Sequence, residues 1–263
     1  MSAEIHEQLR AAVEEALKRL DGVLALRGNP VGAAPHLYRA DDEELDLDTL
    51  ALEPRYPMAL ILDGLLDHAP EARLGVVARG CDEWALIELA KRNQVDLGRI
   101  EIIGLACSQE QAEACRCAEP YPSQIAAGTK VEGVEDSLVA EHRRLTLEER
   151  DAFWRRQFAK CIKCYGCRNI CPVCYCPSCA LEDEIWVERG LMAPPFPSYH
   201  LVRAMHMVGR CIGCKQCERV CPADIPLPIL YTLMRQDAAE LWGYRPGQSV
   251  EDRPPLLVAL PSE

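Results

Sequence analysis

The sequence predicts an α/β domain with a parallel sheet, followed by an α-rich two-cluster domain with a helical insertion. Three observations carry that reading. Residues 74–107 run strand, helix, strand at the spacing of a right-handed parallel crossover. CIKCYGCRNICP, from Cys161 to Pro172, is matched in form by CIGCKQCERVCP, from Cys211 to Pro222. Between those runs, the insertion at 180–209 shows two short helical patterns.

Taken in order, residues 3–20 place Ile5, Leu9, Val13, Leu17 and Leu20 on one helical face. Residues 21–28 read as a turn into a short strand. The stretch 29–56 is rich in Pro, Gly and acid and is expected to be irregular. Residues 57–68 read as a buried helix, and 74–80 as a buried strand. A helix over 82–93 gathers Leu86, Ile87, Leu89 and Ala90 on its apolar face, with Trp84 at the rim. Residues 99–107 form the next strand. Cys81 and Cys107 therefore each close a parallel strand and share the carboxyl edge, where open α/β sheets bind ligands.

The domain boundary is expected near 140, giving 1–140 and 141–245, with 246–263 as an extended arm lying on a neighbour or mobile. Thr146 to Glu149 is a capping box opening a helix through Phe153, Trp154 and Phe158. Residues 180–189 and 198–208 read as helices, the second capped by Ser198. Residues 224–243 form a last amphipathic helix with Pro226 and Pro228 in its opening turns. Trp154, Trp186 and Trp242 read as core anchors.

Composition narrows the chemistry. The chain has 263 residues, 15 of them cysteine, and a net charge of −12. The acidic balance argues against nucleic acid, whose phosphates demand a basic surface. No apolar run approaches the roughly 18 residues of a membrane span. The N-terminal segment reads as an acidic amphipathic helix, not a signal peptide, so reduced thiols in a cytoplasmic protein are expected, not a disulfide scaffold.

Each cysteine run has the spacing C-x2-C-x2-C-x3-C-P, which in bacterial two-cluster ferredoxins wraps [4Fe–4S] cubanes, the fourth cysteine ligating the other cluster. Cys161, Cys164, Cys167 and Cys221 are thus expected to hold one cubane, and Cys211, Cys214, Cys217 and Cys171 the second. Lys160, Lys163, Arg168, Arg210, Lys215 and Arg219 flank these runs and would offset cluster charge, or form a solvated basic patch. Seven cysteines are left over: Cys174, Cys176 and Cys179, then Cys81, Cys107, Cys115 and Cys117. A third Fe–S cluster drawing on both groups, a thiolate-bound zinc, or inert buried thiols all fit their spacing. His200 and His206 read as packing or hydrogen-bonding groups rather than ligands. No dinucleotide or nucleoside triphosphate fingerprint and no nucleophile pair stands out, so no catalytic residue is assigned.

As a set, residues 77–94 with 102–107, the segment Cys161–Cys179, and residues 200–227 resemble the beta subunits of deazaflavin-linked (F420-type) hydrogenases and formate dehydrogenases, in their dicluster form, some associated with heterodisulfide-reductase-like flavin complexes. That resemblance implies an iron–sulfur subunit of an anaerobic oxidoreductase complex. It would carry electrons between a catalytic subunit and a flavin or ferredoxin partner rather than act as a stand-alone catalyst. It also implies a ligand role for some of Cys81, Cys107, Cys115 and Cys117. The alternative is a flavin-containing subunit that itself reduces a deazaflavin or nicotinamide, although no segment here is assignable to the flavin. A zinc-stabilised interaction module is the third reading.

Overall fold

The structure, a computed structural model, describes residues 3–255 except 44, 186 and 189–191. Two compact units divide the chain, Met1–Glu135 and Asp136–Glu263.

In the first unit, helix α1 (Ala3–Leu17) buries Leu9, Val13 and Leu17, one residue per turn. They meet Val23, Ala25, Val77 and Ile103 of the sheet in one core cluster. The sheet strands are β1 (Gly22–Asn29), β2 (Gly32–Tyr38), β3 (Leu50–Ala51), β4 (Leu74–Ala78) and β5 (Ile100–Gly104), ordered β2-β1-β4-β5 with β3 also on β1. β1, β4 and β5 pair in parallel, whereas β2 and β3 are antiparallel to β1. Every residue of β4 is buried, as expected of a parallel strand covered on both faces. α2 (Met58–His68) and α3 (Gly80–Ala90) pack against β4, and Leu86 and Leu89 are fully buried.

The stretch expected to be irregular, 29–56, instead holds β2, β3 and a short 3-10 turn at Leu47–Thr49. Its strand signal was masked by Gly32, Ala33, Ala34 and Pro35, weak β-formers tolerated because β2 is an edge strand. Asn29 Oδ1 accepts from the Val31 amide at 3.0 Å and tightens the hairpin.

The loop 119–128 lies across the carboxyl ends of β4 and β5. The Cys107 amide donates to Pro120 O at 2.9 Å, and the Ala106 amide to Ala127 O at 3.0 Å. A Cβ at Gly80 would run into the Tyr121 carbonyl, and one at Gly104 into the Gln124 carbonyl. Backbone approaches backbone there only because Gly80, which opens α3, and Gly104, which ends β5, carry no Cβ.

The second unit is helical: α5 (Ser137–Arg143), α6 (Leu147–Phe158), α7 (Gly166–Asn169), α8 (Ser198–Met207), α9 (Gln216–Arg219) and α10 (Leu227–Trp242). The capping box opens α6: Thr146 Oγ1 accepts from the Glu149 amide at 3.2 Å, and the Glu149 carboxylate from the Thr146 amide at 2.8 Å. Phe153, Trp154 and Phe158 form a ring ladder, and His200 stacks on Phe158 at 3.8 Å.

Four expectations are corrected. Residues 180–185 make a 3-10 turn (Ala180–Glu182) and bends rather than the start of an α-helix, and part of 186–191 lies outside the described residues. Pro197, not Ser198, caps α8, and the Ser198 hydroxyl turns back to Pro195 O at 3.4 Å. Trp242 ends α10 with 55% of its surface exposed, so it anchors nothing; Trp186 lies outside the described residues. The described part of the arm folds onto its own chain: Pro254 is buried, and a Cβ on Gly209 would touch Pro255 Cδ at 3.5 Å.

Candidate metal centres

The two cysteine runs are conformational copies. In each, a one-turn helix (α7 or α9) follows a residue in the left-handed region, Tyr165 (φ 56°) and Lys215 (φ 59°). Two positions earlier the pattern repeats, with Lys163 at φ 52° and Gly213 at φ 73°. Alternating right- and left-handed residues turn successive amides toward one concave side, a geometry suited to anions. The Lys163 amide donates to the Cys161 thiol, and the Gly213 amide to the Cys211 thiol.

Thiols from the two runs interleave. Cys161 and Cys167 share their surroundings with Cys164 and with Cys221 from the other run. Cys217 likewise groups with Cys214, Cys211 and the distant Cys171. Cys171, Cys211, Cys214 and Cys217 also line one small cavity. Burial pushes the Cys171 thiol up to about 11, and it raises Cys161, Cys167, Cys211 and Cys217 as well. Free thiols in such surroundings stay protonated; coordination would replace those protons with positive metal charge.

Arg203 of α8 is the cation that sequence reading missed. It is 3% exposed, and its Nη2 donates to Cys167 O at 2.8 Å. Nη1 lies 3.9 Å from Cys174 Sγ, and Nε has no hydrogen-bond partner. An orphaned guanidinium nitrogen amid thiols fits a site that carries anionic charge when loaded. Its signal was available: Tyr199, Arg203 and Met207 share the buried stripe of α8, and a charge in such a stripe marks a special site. Several cations singled out from sequence are engaged elsewhere. Lys163 donates to Glu188 O at 2.6 Å, Lys160 to Asp224 O at 3.3 Å, and Lys215 pairs with Asp136.

The leftover cysteines separate into two groups. In the first unit, Cys81 sits in the first turn of α3, Cys107 lies just past β5, and Cys115 ends α4 (Gln109–Cys115). Arg55 joins them, donating from Nη1 to Cys115 Sγ at 2.7 Å and from Nη2 to Cys81 Sγ at 3.2 Å. Cys107 stands close to Cys81, Cys115 and Cys117. Arg79 faces Cys81 and Cys107, and its Nε has no partner. Burial pushes the Cys81 thiol up to about 12, against the opposing pull of Arg55. Four thiols with two guanidinium groups suit a thiolate-bound metal centre, because the cations offset the charge that ligation creates.

In the second unit, Cys174, Cys176 and Cys179 line a separate, larger cavity with Arg168, Arg203 and His206. Among the described residues, no three Cys, His, Asp or Glu side chains converge on the position of one metal ion. His200 is buried with Nδ1 unpartnered, and burial beside Arg203 takes its imidazole down to about 4.

Comparison with known proteins bears on these centres. The 4Fe–4S binding domain family (Fer4) matches residues 206–226, which span the second run. The F420-dependent formate dehydrogenase subunit beta of Methanocaldococcus jannaschii is 35% identical over 142 residues, 53% of this chain and 37% of that protein. The F420-dependent formate dehydrogenase 1 subunit beta of Methanococcus maripaludis is 37% identical over 147 residues, 55% of this chain and 38% of that protein. A component of the ion-translocating oxidoreductase complex of Buchnera aphidicola is 36% identical over 67 residues, 26% of this chain and 12% of that protein. The chain spans under two fifths of the length of the two formate dehydrogenase proteins. Among the described residues, no helix is long and apolar enough to cross a membrane. With its paired cysteine runs, the chain carries a 4Fe–4S binding segment and is similar over about half its length to the beta subunits of F420-dependent formate dehydrogenases.

Proposed function

We propose that this chain is an electron-relay subunit of a cytoplasmic anaerobic oxidoreductase complex. It passes electrons between a catalytic dehydrogenase or hydrogenase subunit and a flavin or ferredoxin partner. Two [4Fe–4S] clusters would be held by Cys161, Cys164, Cys167 with Cys221, and by Cys211, Cys214, Cys217 with Cys171. Such clusters supply one-electron chemistry at potentials set by burial and hydrogen bonds to sulfur. The chain's own contribution is to hold the thiolates, donate amides to them and keep water away. Cys81, Cys107, Cys115 and Cys117 would hold a further thiolate centre at the carboxyl edge of the first unit's sheet.

The observation that carries this reading is the crossed grouping, Cys221 among the thiols of the first run and Cys171 among those of the second. Two independent zinc knuckles would have no reason to exchange a ligand. Cubane ligands each bind a different iron and stand well apart, so the absence of a single-ion convergence among the described residues is compatible with this reading. Iron, sulfide and zinc analysis of the anaerobically purified chain tests it. The ferredoxin-type pair alone requires about eight iron and eight sulfide; zinc without iron and sulfide would overturn it.

A second reading is favoured by one observation, that two relatives are named F420-dependent. In it the chain binds flavin and itself reduces the deazaflavin. Flavin near one per chain after purification supports that reading, and a flavin-free, iron-replete preparation removes it.

A further inference from the structure

Resting on the proposal that the two ferredoxin-type runs are loaded, we propose that Cys174, Cys176 and Cys179 hold an additional [4Fe–4S] cluster with three cysteine ligands and one non-cysteine position. The two runs each have four cysteines and need none of these three. Yet C-x-C-x2-C follows the first run after only two residues, and all three thiols line one cavity. That cavity is a different space from the one lined by the second run's cysteines, although Arg203 borders both.

Charge is the independent argument. Three thiolates on one inorganic cluster make an anionic group, which a wall without cations would expel. This wall is cationic. Arg168 donates to the Cys179 thiol and pairs with Glu182 at 2.6 Å. Arg210 stands over the Tyr175 ring at 5.3 Å, on the same rim. Arg203 is 3% exposed, lies 3.9 Å from Cys174 Sγ, and keeps Nε without a partner. A buried guanidinium nitrogen left unpaired is destabilising, and a bound anion would offset that cost.

Nuclearity follows from two facts. One ion requires its donors to converge at bonding distance, and no such group exists among the described residues. A cubane instead takes one sulfur per iron and tolerates wider spacing. His206 also lines this cavity and is the non-cysteine side chain that could serve the remaining iron. Cys174 also stands close to Cys171, so this centre would lie within electron-transfer reach of the second run's cluster.

The test uses the full chain, reconstituted anaerobically with iron and sulfide, beside a Cys174→Ala, Cys176→Ala, Cys179→Ala triple variant. The proposal expects the variant to lose about four iron and four sulfide per chain while both ferredoxin-type EPR signals persist. Unchanged iron and sulfide overturn it, as does a loss of one zinc with iron constant. A parent chain without iron would instead sink the two-cluster reading, so the two failures are distinguishable. Should the triple variant not fold, Cys176→Ser alone decides, because Cys176 is exposed. A new [3Fe–4S]-type signal or an altered spectrum of one centre supports the proposal, and a spectrum identical to the parent's overturns it.

Discussion

Arg203 donates from Nη2 to the carbonyl oxygen of Cys167 at 2.8 Å, which fastens α8 to the first cysteine run. The same guanidinium lies close to Cys171 and Cys217 of the second set. One buried cation therefore sits in the field of both thiolate groups. Nearby positive charge stabilises the more negative, reduced form of a cluster and so raises its potential.

Arg203→Gln should lower the midpoint potentials of both ferredoxin-type centres, while Arg203→Lys retains much of the effect. A redox titration followed by EPR checks this. Equal potentials in the parent and the Gln variant would show that Arg203 acts only as a strut. Losing the charged hydrogen bond should also cost about 1.5–3 kcal/mol of stability in that unit.

Cys171→Ser should damage the centre built on the second run, and Cys221→Ser the one built on the first. The reciprocal pattern is what distinguishes shared ligation from two self-contained loops. EPR or Mössbauer spectra of each single variant report which centre has changed. Damage confined in each case to the variant's own run would refute the crossed assignment.

Gly104→Ala should destabilise the first unit by roughly 2–4 kcal/mol, because the added methyl would collide with the Gln124 carbonyl. Gly64→Ala, on α2 with nothing near its Cβ position, is the control and should be neutral or stabilising. Thermal unfolding of the two variants measures the difference.

Asp63 supplies a pH dependence. Burial, reinforced by Asp67, raises its carboxyl from 3.8 to about 6. The folded state therefore holds this proton more tightly than the unfolded chain does. The contribution is fully present below the unfolded value near 4, and it is lost as pH rises through about 6. Since Asp63 is only half-buried, solvent screening reduces the cost at neutral pH to about 1 kcal/mol. Asp63→Asn should raise the melting temperature at pH 7 and change nothing at pH 3.5. A gain of the same size at both values would assign the effect to packing.

Arg55→Gln should weaken whatever metal the first unit retains, since Arg55 bonds both Cys81 and Cys115. Metal content after dialysis against a chelator, compared between parent and variant, reads the effect. Equal retention would show that Arg55 merely packs beside the thiols.

Short-range pattern was enough for a good part of this molecule. The burial stripe of α1, the β4–α3–β5 unit, the Thr146 capping box and the cysteine runs all rest on residues within a few positions of one another. Torsion preferences, periodicity and ligand spacing act over that range, so the linear text carries them. The 4Fe–4S match at 206–226 falls on such a run.

Tertiary structure decided the rest. Strand β2 depends on pairing with β1, and nothing in its own small residues announced it. Trp242 carries a core residue's side chain yet ends a helix on the surface. Arg55 reaches Cys115 across 60 positions, and Arg203 reaches Cys174 across 29. The seven leftover thiols fell into a group of three and a group of four already in the sequence, but only folding set Arg55 against Cys81 and Cys115 and gathered Cys174, Cys176 and Cys179 around one cavity. Spacing along the chain determines which thiols can share a loop, because bonded geometry limits local reach. Which distant cations and loops meet them is set by packing among whole elements, and no local period records that.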